Sequence, residues 1–487
     1  MRRAKIVCTL GPACEAAETV LALVENGMDV ARLNFSHGTH EDHARVIENI
    51  RAASRKLIRP VAILQDLQGP KIRTGPLKAG RAGVVVQPGA RIVITTEGEV
   101  PGDETLVSTT YAHLAEDVHR GDRLLVDDGL LEFRVLDTDG VRVTAEVVEG
   151  GVLKEHKGIN LPGVKLRVEA LSDKDRADLR FGVEHGVDYV ALSFVRTADD
   201  VREARRAVES LGRVLPIVAK IEKPEALETL DDIVEAADGL MVARGDLGVE
   251  VPPEQVPTLQ KAIVRKGNQA GKPVIIATQM LDSMIEHPRP TRAEASDVAN
   301  AVWDGADAVM LSGETASGRY PLLAVQIMDR IVREAEQNLF LSRPRPVDPP
   351  APPIAFNDVV ASAAVRAALD CDARCIACFT VGGTTARLLS RYRPHVPIVA
   401  FSPDQKMRRR MSLYWGVTPR IMEPVRDPDS MAQLVSERLL QDELAQPGDR
   451  VVLVYGSPLG EPGHTNSIRL HQIPTEPPRG RRYRVPI

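Results

Sequence analysis

The chain of 487 residues lacks several features that would place it in a specialised class. Its five cysteines are too few for a disulfide framework in a protein of this size. The N-terminus has no apolar secretory core, and no apolar run reaches the roughly 18 residues of a membrane span. A net charge of −5 gives no overall attraction for nucleic acid or acidic membranes. We therefore expect a cytoplasmic protein that binds neither.

Three of the cysteines, Cys371, Cys375 and Cys378, have a spacing that superficially resembles a metal site. If residues 374–380 form a strand, Cys375 and Cys378 lie on opposite faces, and no histidine follows at ligand spacing. We favour reduced, buried thiols over a zinc site.

The chain does contain a repeated alternation of short apolar runs and amphipathic segments. The runs predict strands at residues 5–10, 30–34, 61–65, 188–193, 216–221, 239–243, 273–278 and 306–311. Helices are predicted at residues 15–26, 199–211, 224–237 and 256–270, and a capping box at residues 291–294 begins another. This alternation predicts a parallel sheet, and eight repeats predict a closed (β/α)8 TIM barrel.

Two regions depart from this alternation. Residues 71–164 contain β-rich segments punctuated by Gly, Asp and Pro, which predicts an inserted all-β barrel-like module above the carboxyl-end rim, where it suits a lid. A proline-rich connector at residues 343–353 leads to a third module that reads as a doubly wound α/β domain.

We predict four segments from this organisation: a catalytic barrel of residues 1–70 and 165–342, a lid of residues 71–164, a regulatory α/β domain of residues 354–474, and a tail of residues 475–487. A solvated tail is expected, although it could bind an anion through Arg479, Arg481, Arg482 and Arg484.

Functional side chains of such a barrel lie where its strands end. Lys220 and Glu222 end the fifth predicted strand two residues apart, so they would point the same way. Asp246 follows the sixth strand, roughly 4.8 Å away, so Glu222 and Asp246 could share one ion. Two carboxylates completed by water and substrate oxygens suit Mg2+ or Mn2+.

A buried ion pair without chemical function is the alternative explanation for Lys220 and Glu222. Arg32, Arg73 and Asp246 at the same rim make that alternative weaker. A fixed cation in a confined place suits a group that gains charge in transit, such as a phosphoryl group.

Seven segments, in chain order, together resemble the pyruvate kinases. They are residues 32–38 (RLNFSHG), 68–75 (QGPKIRTG), 219–222 (AKIE), 241–248 (MVARGDLG), 277–281 (ATQML), 288–300 (PRPTRAEASDVAN) and 311–316 (LSGETA). The resemblance extends from residue 5 to about residue 473 and includes the insertion. It implies phosphoryl transfer from phosphoenolpyruvate to ADP, giving pyruvate and ATP in glycolysis, by an allosteric homotetramer.

The resemblance also implies residue roles. The implied catalytic and substrate-binding residues are Arg32, Arg73, Lys220, Gly245, Asp246 and Thr278. The implied ligands of Mg2+ or Mn2+ are Glu222 and Asp246, and a second Mg2+ would arrive with ADP. The implied nucleotide-binding residues are Arg73, Lys157, Asn34 and His37.

One position departs from most of the family. Many members bind K+ through residues matching Asn34, Ser36, Asp66 and the carbonyl of Leu67, beside a Glu where this chain has Lys71. The permanent ammonium of Lys71 supplies the positive charge that K+ would otherwise bring. The chain resembles the family's K+-independent branch, and we predict that its activity does not require K+.

A Gly-rich segment in the third module matches the loop that binds a sugar-phosphate activator in relatives. It implies an effector site for a sugar phosphate or nucleotide at Thr380, Gly382, Gly383, Thr384 and Thr385. Val381 and Gly382 replace the polar residues usual in relatives. A Gly-rich turn with a threonine cap is the alternative.

Two other functional classes compete with this interpretation. A metal-dependent aldolase or lyase acting on pyruvate enolates would use a similar carboxylate pair, but Lys71, Lys157, the insertion and the extra domain argue against it. A non-catalytic metabolite sensor does not need Lys220, Glu222, Asp246 and Thr278 together.

Overall fold

The computed structural model describes residues 2–341, 354–425, 427–461 and 463–475. Eight parallel strands close into a barrel, and each lies within two residues of its predicted ends, which confirms the predicted fold. In chain order the barrel strands are Lys5–Leu10, Val30–Asn34, Ala62–Asp66, Tyr189–Leu192, Ile217–Ile221, Gly239–Ala243, Val274–Ala277 and Ala308–Leu311. The predicted connector at 343–353 lies outside the described residues, as do the arginines of the predicted tail.

Helices surround the barrel and bury their apolar faces against its outside. They are Ala17–Glu25, His40–Lys56, Asp173–Glu184, Ala198–Ser210, Pro224–Glu228, Leu230–Ala236, Arg244–Glu250, Val256–Gln269, Arg292–Asp304, Gly313–Ala316 and Pro321–Leu341, with 3-10 turns at Pro253–Gln255 and Asp282–Ile285. The capping box is confirmed, since Thr291 and Glu294 bond each other's backbone N–H groups. The helix predicted at 224–237 is instead two helices that meet at Thr229, whose hydroxyl donates to the Arg196 carbonyl at 3.0 Å.

Four aspartates repeat at the amino end of the barrel, one before each even-numbered strand. Each accepts the backbone N–H of a residue that begins the preceding barrel strand, at 2.9–3.0 Å. Each also pairs with one or two arginines at 2.8–2.9 Å. These aspartates are Asp29, Asp188, Asp238 and Asp307. We call them the amino-end aspartates; their bonds pin neighbouring strands together.

A side chain from the C-terminal domain closes the amino end of the barrel. Leu413 is buried among the inward-facing barrel residues, and Tyr414 packs against the same cluster. Arg409 reaches from the same domain to Asp188 at 2.9 Å, and Ser412 Oγ donates to the Pro60 carbonyl at 3.1 Å. The two domains therefore share one packed junction.

The insertion after the third barrel strand has its own apolar core and two sheets, of six and two strands. Its strands are Val84–Val86, Arg91–Thr95, Leu106–Ser108, Arg123–Val126, Leu131–Thr138, Arg142–Glu149, Gly151–Leu153 and Ile159–Asn160. The prediction of an all-β module missed a short helix, Leu114–Asp117, and the 3-10 turn Gly80–Ala82. Asn160 ties this module to the barrel, because its side chain donates to Glu250 at 2.7 Å.

The C-terminal domain is a five-stranded sheet with helices on both faces. Its strands are Cys375–Phe379, Ile398–Ser402, Val417–Ile421, Arg450–Gly456 and Thr465–Gln472; its helices are Phe356–Asp370, Thr384–Arg391, Gln405–Arg410 and Pro428–Gln441, with the turn Met411–Leu413. The last strand is antiparallel to its neighbour. Cys375 and Cys378 lie in separate apolar clusters on opposite faces, as predicted.

No helix among the described residues is long and apolar enough to cross a membrane. Each of the three regions contains an apolar cluster, and the predicted division of the chain stays a prediction.

Candidate active site

Charged side chains converge at the carboxyl ends of the barrel strands. Asp66 ends the third strand and is almost fully buried. One carboxylate oxygen accepts from Arg32 Nε at 2.6 Å, and the other lies 3.4 Å from Lys220 Nζ. The second, third and fifth barrel strands thus bring together three residues that are far apart in sequence.

Lys220 and Glu222 lie on the same side, as their spacing predicted, with Nζ and Oε2 3.5 Å apart. Burial disfavours a charged lysine, but Asp66 and Glu222 keep the pKa of Lys220 above its ordinary value. Burial raises the pKa of Glu222 to about 7 against the opposing effect of Lys220. This carboxylate is thus short of compensating charge.

Glu222 also has an incomplete set of hydrogen bonds. Its Oε1 accepts from the backbone N–H of Phe194 at 2.6 Å, whereas its buried Oε2 has no hydrogen-bond partner among the described residues. A buried oxygen without a donor, in the field of a second carboxylate at Asp246, fits a divalent cation. Within the described ranges, no group of three or more His, Cys, Asp or Glu side chains could hold a metal, so water and substrate would complete its shell.

Asp246 follows the sixth strand, as predicted, and lies in the first turn of the helix Arg244–Glu250. The preceding residue, Gly245, donates its N–H to Thr278 Oγ1 at 2.7 Å. A Cβ on Gly245 would lie 3.1 Å from that oxygen, so glycine permits the close approach. Arg244 is held by Asp297 at 2.6 Å and also donates to the Thr278 carbonyl at 2.8 Å.

Backbone strain is concentrated at this rim. Phe194, Thr278 and Gln279 have φ angles of 56°, 69° and 56°, in the left-handed region that non-glycine residues rarely adopt. Each follows a barrel strand directly or within two residues. The strain aims Thr278 at Gly245 and the Phe194 N–H at Glu222.

Lys71 and Arg73 lie where the chain leaves the barrel for the insertion. Neither belongs to a strand, and Arg73 forms only an isolated bridge with Gly158. Both nevertheless act on His37: burial lowers its pKa, and Arg73, Lys71 and Arg32 lower it further. The three cations therefore lie within electrostatic reach of His37.

The Lys71 ammonium has no anionic partner among the described residues. Its side chain crosses Gly158, where a Cβ would lie 2.8 Å from Lys71 Cε. Lys71 and Asp246 line the same narrow cleft between the insertion and the barrel. This cleft presents free positive charge beside the predicted metal ligands.

The predicted monovalent-cation pocket is partly occupied by the protein's own contacts. Asn34 Oδ1 accepts from the backbone N–H of Ser36 at 3.1 Å, and the Leu67 carbonyl accepts from Ser193 Oγ at 2.8 Å. Ser36 lies two residues beyond the end of its strand, Val30–Asn34.

Two other predicted sites are placed as follows. Lys157 Nζ pairs with Asp127 at 2.7 Å inside the insertion, so it reaches a nucleotide only by sharing or leaving that partner. In the C-terminal domain, the Gly383 N–H donates to Thr380 Oγ1 at 2.9 Å and Thr385 Oγ bonds Thr465 Oγ1 at 2.6 Å. Thr380, Gly382, Thr384 and Thr385 line a small surface pocket, which Glu461 also lines.

Sequence reasoning missed Ser193 and Phe194, which follow the fourth barrel strand. The fourth strand end was the available signal, because every strand end of such a barrel is a candidate. Gly69, at φ 69°, lets the chain after Asp66 pack against both residues; a Cβ there would lie 2.7 Å from the Phe194 ring.

Comparison with known proteins agrees with this geometry. The family model described as pyruvate kinase, barrel domain, matches residues 1–325, and that described as pyruvate kinase, alpha/beta domain, matches residues 358–471.

The chain is 49% identical to a pyruvate kinase of Corynebacterium glutamicum, covering 97% of this chain and 98% of the relative. It is 47% identical to one of Mycobacterium tuberculosis, with 97% and 98% covered. A crystal structure of a pyruvate kinase from Cryptosporidium parvum superimposes with a TM-score of 0.90 at 37% identity, covering 97% of this chain and 96% of that one. The chain is therefore an enzyme of the pyruvate kinase family.

Proposed function

We propose that the enzyme transfers the phosphoryl group of phosphoenolpyruvate to ADP, in the direction that yields pyruvate and ATP in glycolysis. The observation that carries this proposal is the charge arrangement at one rim. That rim holds a buried cation at Lys220, carboxylates at Glu222 and Asp246, and the half-buried cations Lys71 and Arg73, which have no anionic partner among the described residues. Family membership supports the same reaction.

In this reaction the bond between the enol oxygen and phosphorus breaks, and a new bond forms to the terminal phosphate oxygen of ADP. Lys220 offsets the charge on the phosphoryl oxygens during transfer, assisted by Arg32 and Arg73. The enolate left behind takes a proton at its methylene carbon, on the side where Thr278 lies.

Glu222 and Asp246 would hold Mg2+ or Mn2+, which when bound draws charge away from the substrate's oxygens. Gly245 and Thr278 would line the pocket for the substrate carboxylate. Arg73, Lys157, Asn34 and His37 would contact the nucleotide and its own Mg2+.

We also propose that K+ is not required. The free ammonium of Lys71 acts on the same His37 that Arg73 and Arg32 act on, so a fixed cation already serves the region of the substrate phosphates. The groups proposed to bind K+ in relatives are already engaged here, Asn34 by Ser36 and the Leu67 carbonyl by Ser193.

The remaining proposals concern regulation and assembly. The loop formed by Thr380, Gly382, Gly383, Thr384 and Thr385 would bind a sugar phosphate or a nucleotide, and the active form would be a cytoplasmic homotetramer. The pocket at this loop supports the first of these proposals, although Glu461 at its edge weakens the case for an anion.

One assay tests the proposed reaction. Purified enzyme is mixed with phosphoenolpyruvate, ADP and Mg2+ in a K+-free buffer, and pyruvate and ATP are measured separately. We expect equal amounts of both products, and none when a chelator removes the divalent metal. Absence of ATP with K+ and without it would overturn the proposal; pyruvate with free phosphate in place of ATP would mean that the phosphoryl group goes to water instead of ADP.

A further inference from the structure

Ser193 makes the shortest contact of the Lys220 ammonium. Ser193 Oγ lies 2.6 Å from Lys220 Nζ, whereas Asp66 Oδ1 and Glu222 Oε2 lie 3.4 Å and 3.5 Å away. The two carboxylate oxygens stand at ion-pair distance, and only the serine hydroxyl lies within ordinary hydrogen-bond distance of the ammonium. The neutral hydroxyl thus holds the cation more closely than either carboxylate does.

The direction of the serine hydroxyl follows from its partners. Because an ammonium only donates, Ser193 Oγ must accept from Lys220, and its own hydrogen goes elsewhere. The Leu67 carbonyl is 2.8 Å away and Asp66 Oδ1 is 3.4 Å away, so the carbonyl receives it. Ser193 is only 3% exposed, so bulk water would not readily replace a lost hydroxyl.

The surroundings fix Ser193 in place. The next residue, Phe194, has its strained backbone bonded to Glu222, and Gly69 packs against both residues. The serine is thereby anchored to the segment that follows Asp66 and to Phe194, whose backbone N–H bonds Glu222. Its hydroxyl has little freedom to follow a displaced lysine.

We propose that Ser193 is a positioning residue that holds the Lys220 ammonium away from contact with Asp66 and Glu222, at the place where it meets the phosphoryl group. This inference rests on the proposed function. Without the hydroxyl, the ammonium would close onto one carboxylate, where its charge is already neutralised in the ground state. A displacement of this kind, about 1 Å, can cost on the order of 10²-fold in rate.

The test compares Ser193→Ala with Ser412→Ala in steady-state assays. Both serines are buried, and both donate to a backbone carbonyl, but Ser412 lies at the opposite end of the barrel. For Ser193→Ala we expect kcat to fall about 10²-fold while the KM for phosphoenolpyruvate changes less than about threefold. For Ser412→Ala we expect kcat within about twofold of wild type, with a similar loss of thermal stability.

A second variant keeps the test valid if Ser193→Ala folds poorly. Ser193→Cys keeps the volume and offers only a weak acceptor, so an intermediate kcat is expected. If Ser193→Ala has the same kcat as wild type, this inference alone is overturned. If only Ser193→Cys folds, the same conclusion follows from a wild-type kcat of that variant. A loss that appears only in KM, or one that Ser412→Ala matches, also overturns this inference alone. A wild-type enzyme that makes no pyruvate overturns the proposed function and this inference with it.

Discussion

The two ends of the barrel use buried charge in opposite ways. At the amino end, each of the four amino-end aspartates accepts a backbone N–H and pairs with arginine. At the carboxyl end, Glu222 Oε2 and the Lys71 ammonium have no such partners within the described part of the chain. Satisfied charge joins strands, and unsatisfied charge leaves a place for a ligand. Charged residues at the amino end of the barrel thus serve stability, and those at the carboxyl end serve chemistry.

The largest expected effect is on activity at the carboxyl end. Glu222→Gln should lower kcat on the order of 10³-fold, because it removes a charge that would hold the divalent metal. It should change the melting temperature little, because the lost pairing with Lys220 at 3.5 Å is offset by no longer burying a charged oxygen that accepts no hydrogen bond. Steady-state kinetics and thermal unfolding without substrates measure both.

Glu314→Gln is the matched control at the same rim. Glu314 is fully buried, but both of its oxygens accept backbone N–H groups, from Leu281 at 3.0 Å and Ser312 at 2.7 Å. An amide nitrogen cannot accept, so this variant should lose about 1–3 kcal/mol of stability. If Glu222→Gln destabilised the protein as much as Glu314→Gln, the contrast between free and satisfied charge would be wrong.

The amino end should show the reverse pattern. Asp188→Asn should lower the free energy of unfolding by about 3 kcal/mol, because it leaves Arg51 and Arg409 beside a neutral group. Asp238→Asn should cost about 1 kcal/mol, since its side chain is 37% exposed, against 1% for Asp188. In both variants kcat of the folded enzyme should stay within about twofold of wild type. Urea unfolding measures the loss of stability in each variant, and steady-state assays measure kcat. Equal losses of stability in Asp188→Asn and Asp238→Asn would contradict the prediction.

A smaller effect is expected on the stability of the protein at acidic pH. Burial alone would raise the pKa of Asp29, but Arg2, Lys5 and Arg59 hold it well below its ordinary value. The stability that Asp29 contributes is therefore complete above its unfolded pKa of about 3.9 and is lost as the pH falls below it. Asp29→Asn should melt below wild type near neutral pH, and the difference should shrink as the pH falls below 4. If the difference in melting temperature between the variant and wild type stayed constant with pH, Asp29 would not be the source of this pH-dependent stability.

The sequence predicted the barrel well because local signals agree with the global fold. Strand runs such as Val30–Asn34 and Gly239–Ala243 are β-branched or apolar, short and bounded by breaks, so their ends were found without error. In the C-terminal domain the strands Val417–Ile421 and Thr465–Gln472 carry no continuous apolar run that would mark them in the sequence. Both are edge strands with exposed or half-exposed positions, which weakens the apolar pattern.

The candidate site was only partly predictable. Lys220, Glu222 and Asp66 were identified because motif and strand end coincide. The contacts of Ser193 and the insertion of Leu413 into the barrel depend on packing between segments far apart in the chain. No local pattern marks a serine that bonds a lysine on the neighbouring strand.

The central claim is that this enzyme carries its own monovalent cation in Lys71. The most direct measurement is the rate of pyruvate formation as K+ replaces Na+ at constant ionic strength, for wild type and for Lys71→Glu. We expect wild type to change by less than about twofold, and Lys71→Glu to be activated about tenfold or more, because a carboxylate needs a mobile cation to offset it. Tenfold or greater activation of the wild-type enzyme by K+ would contradict the account.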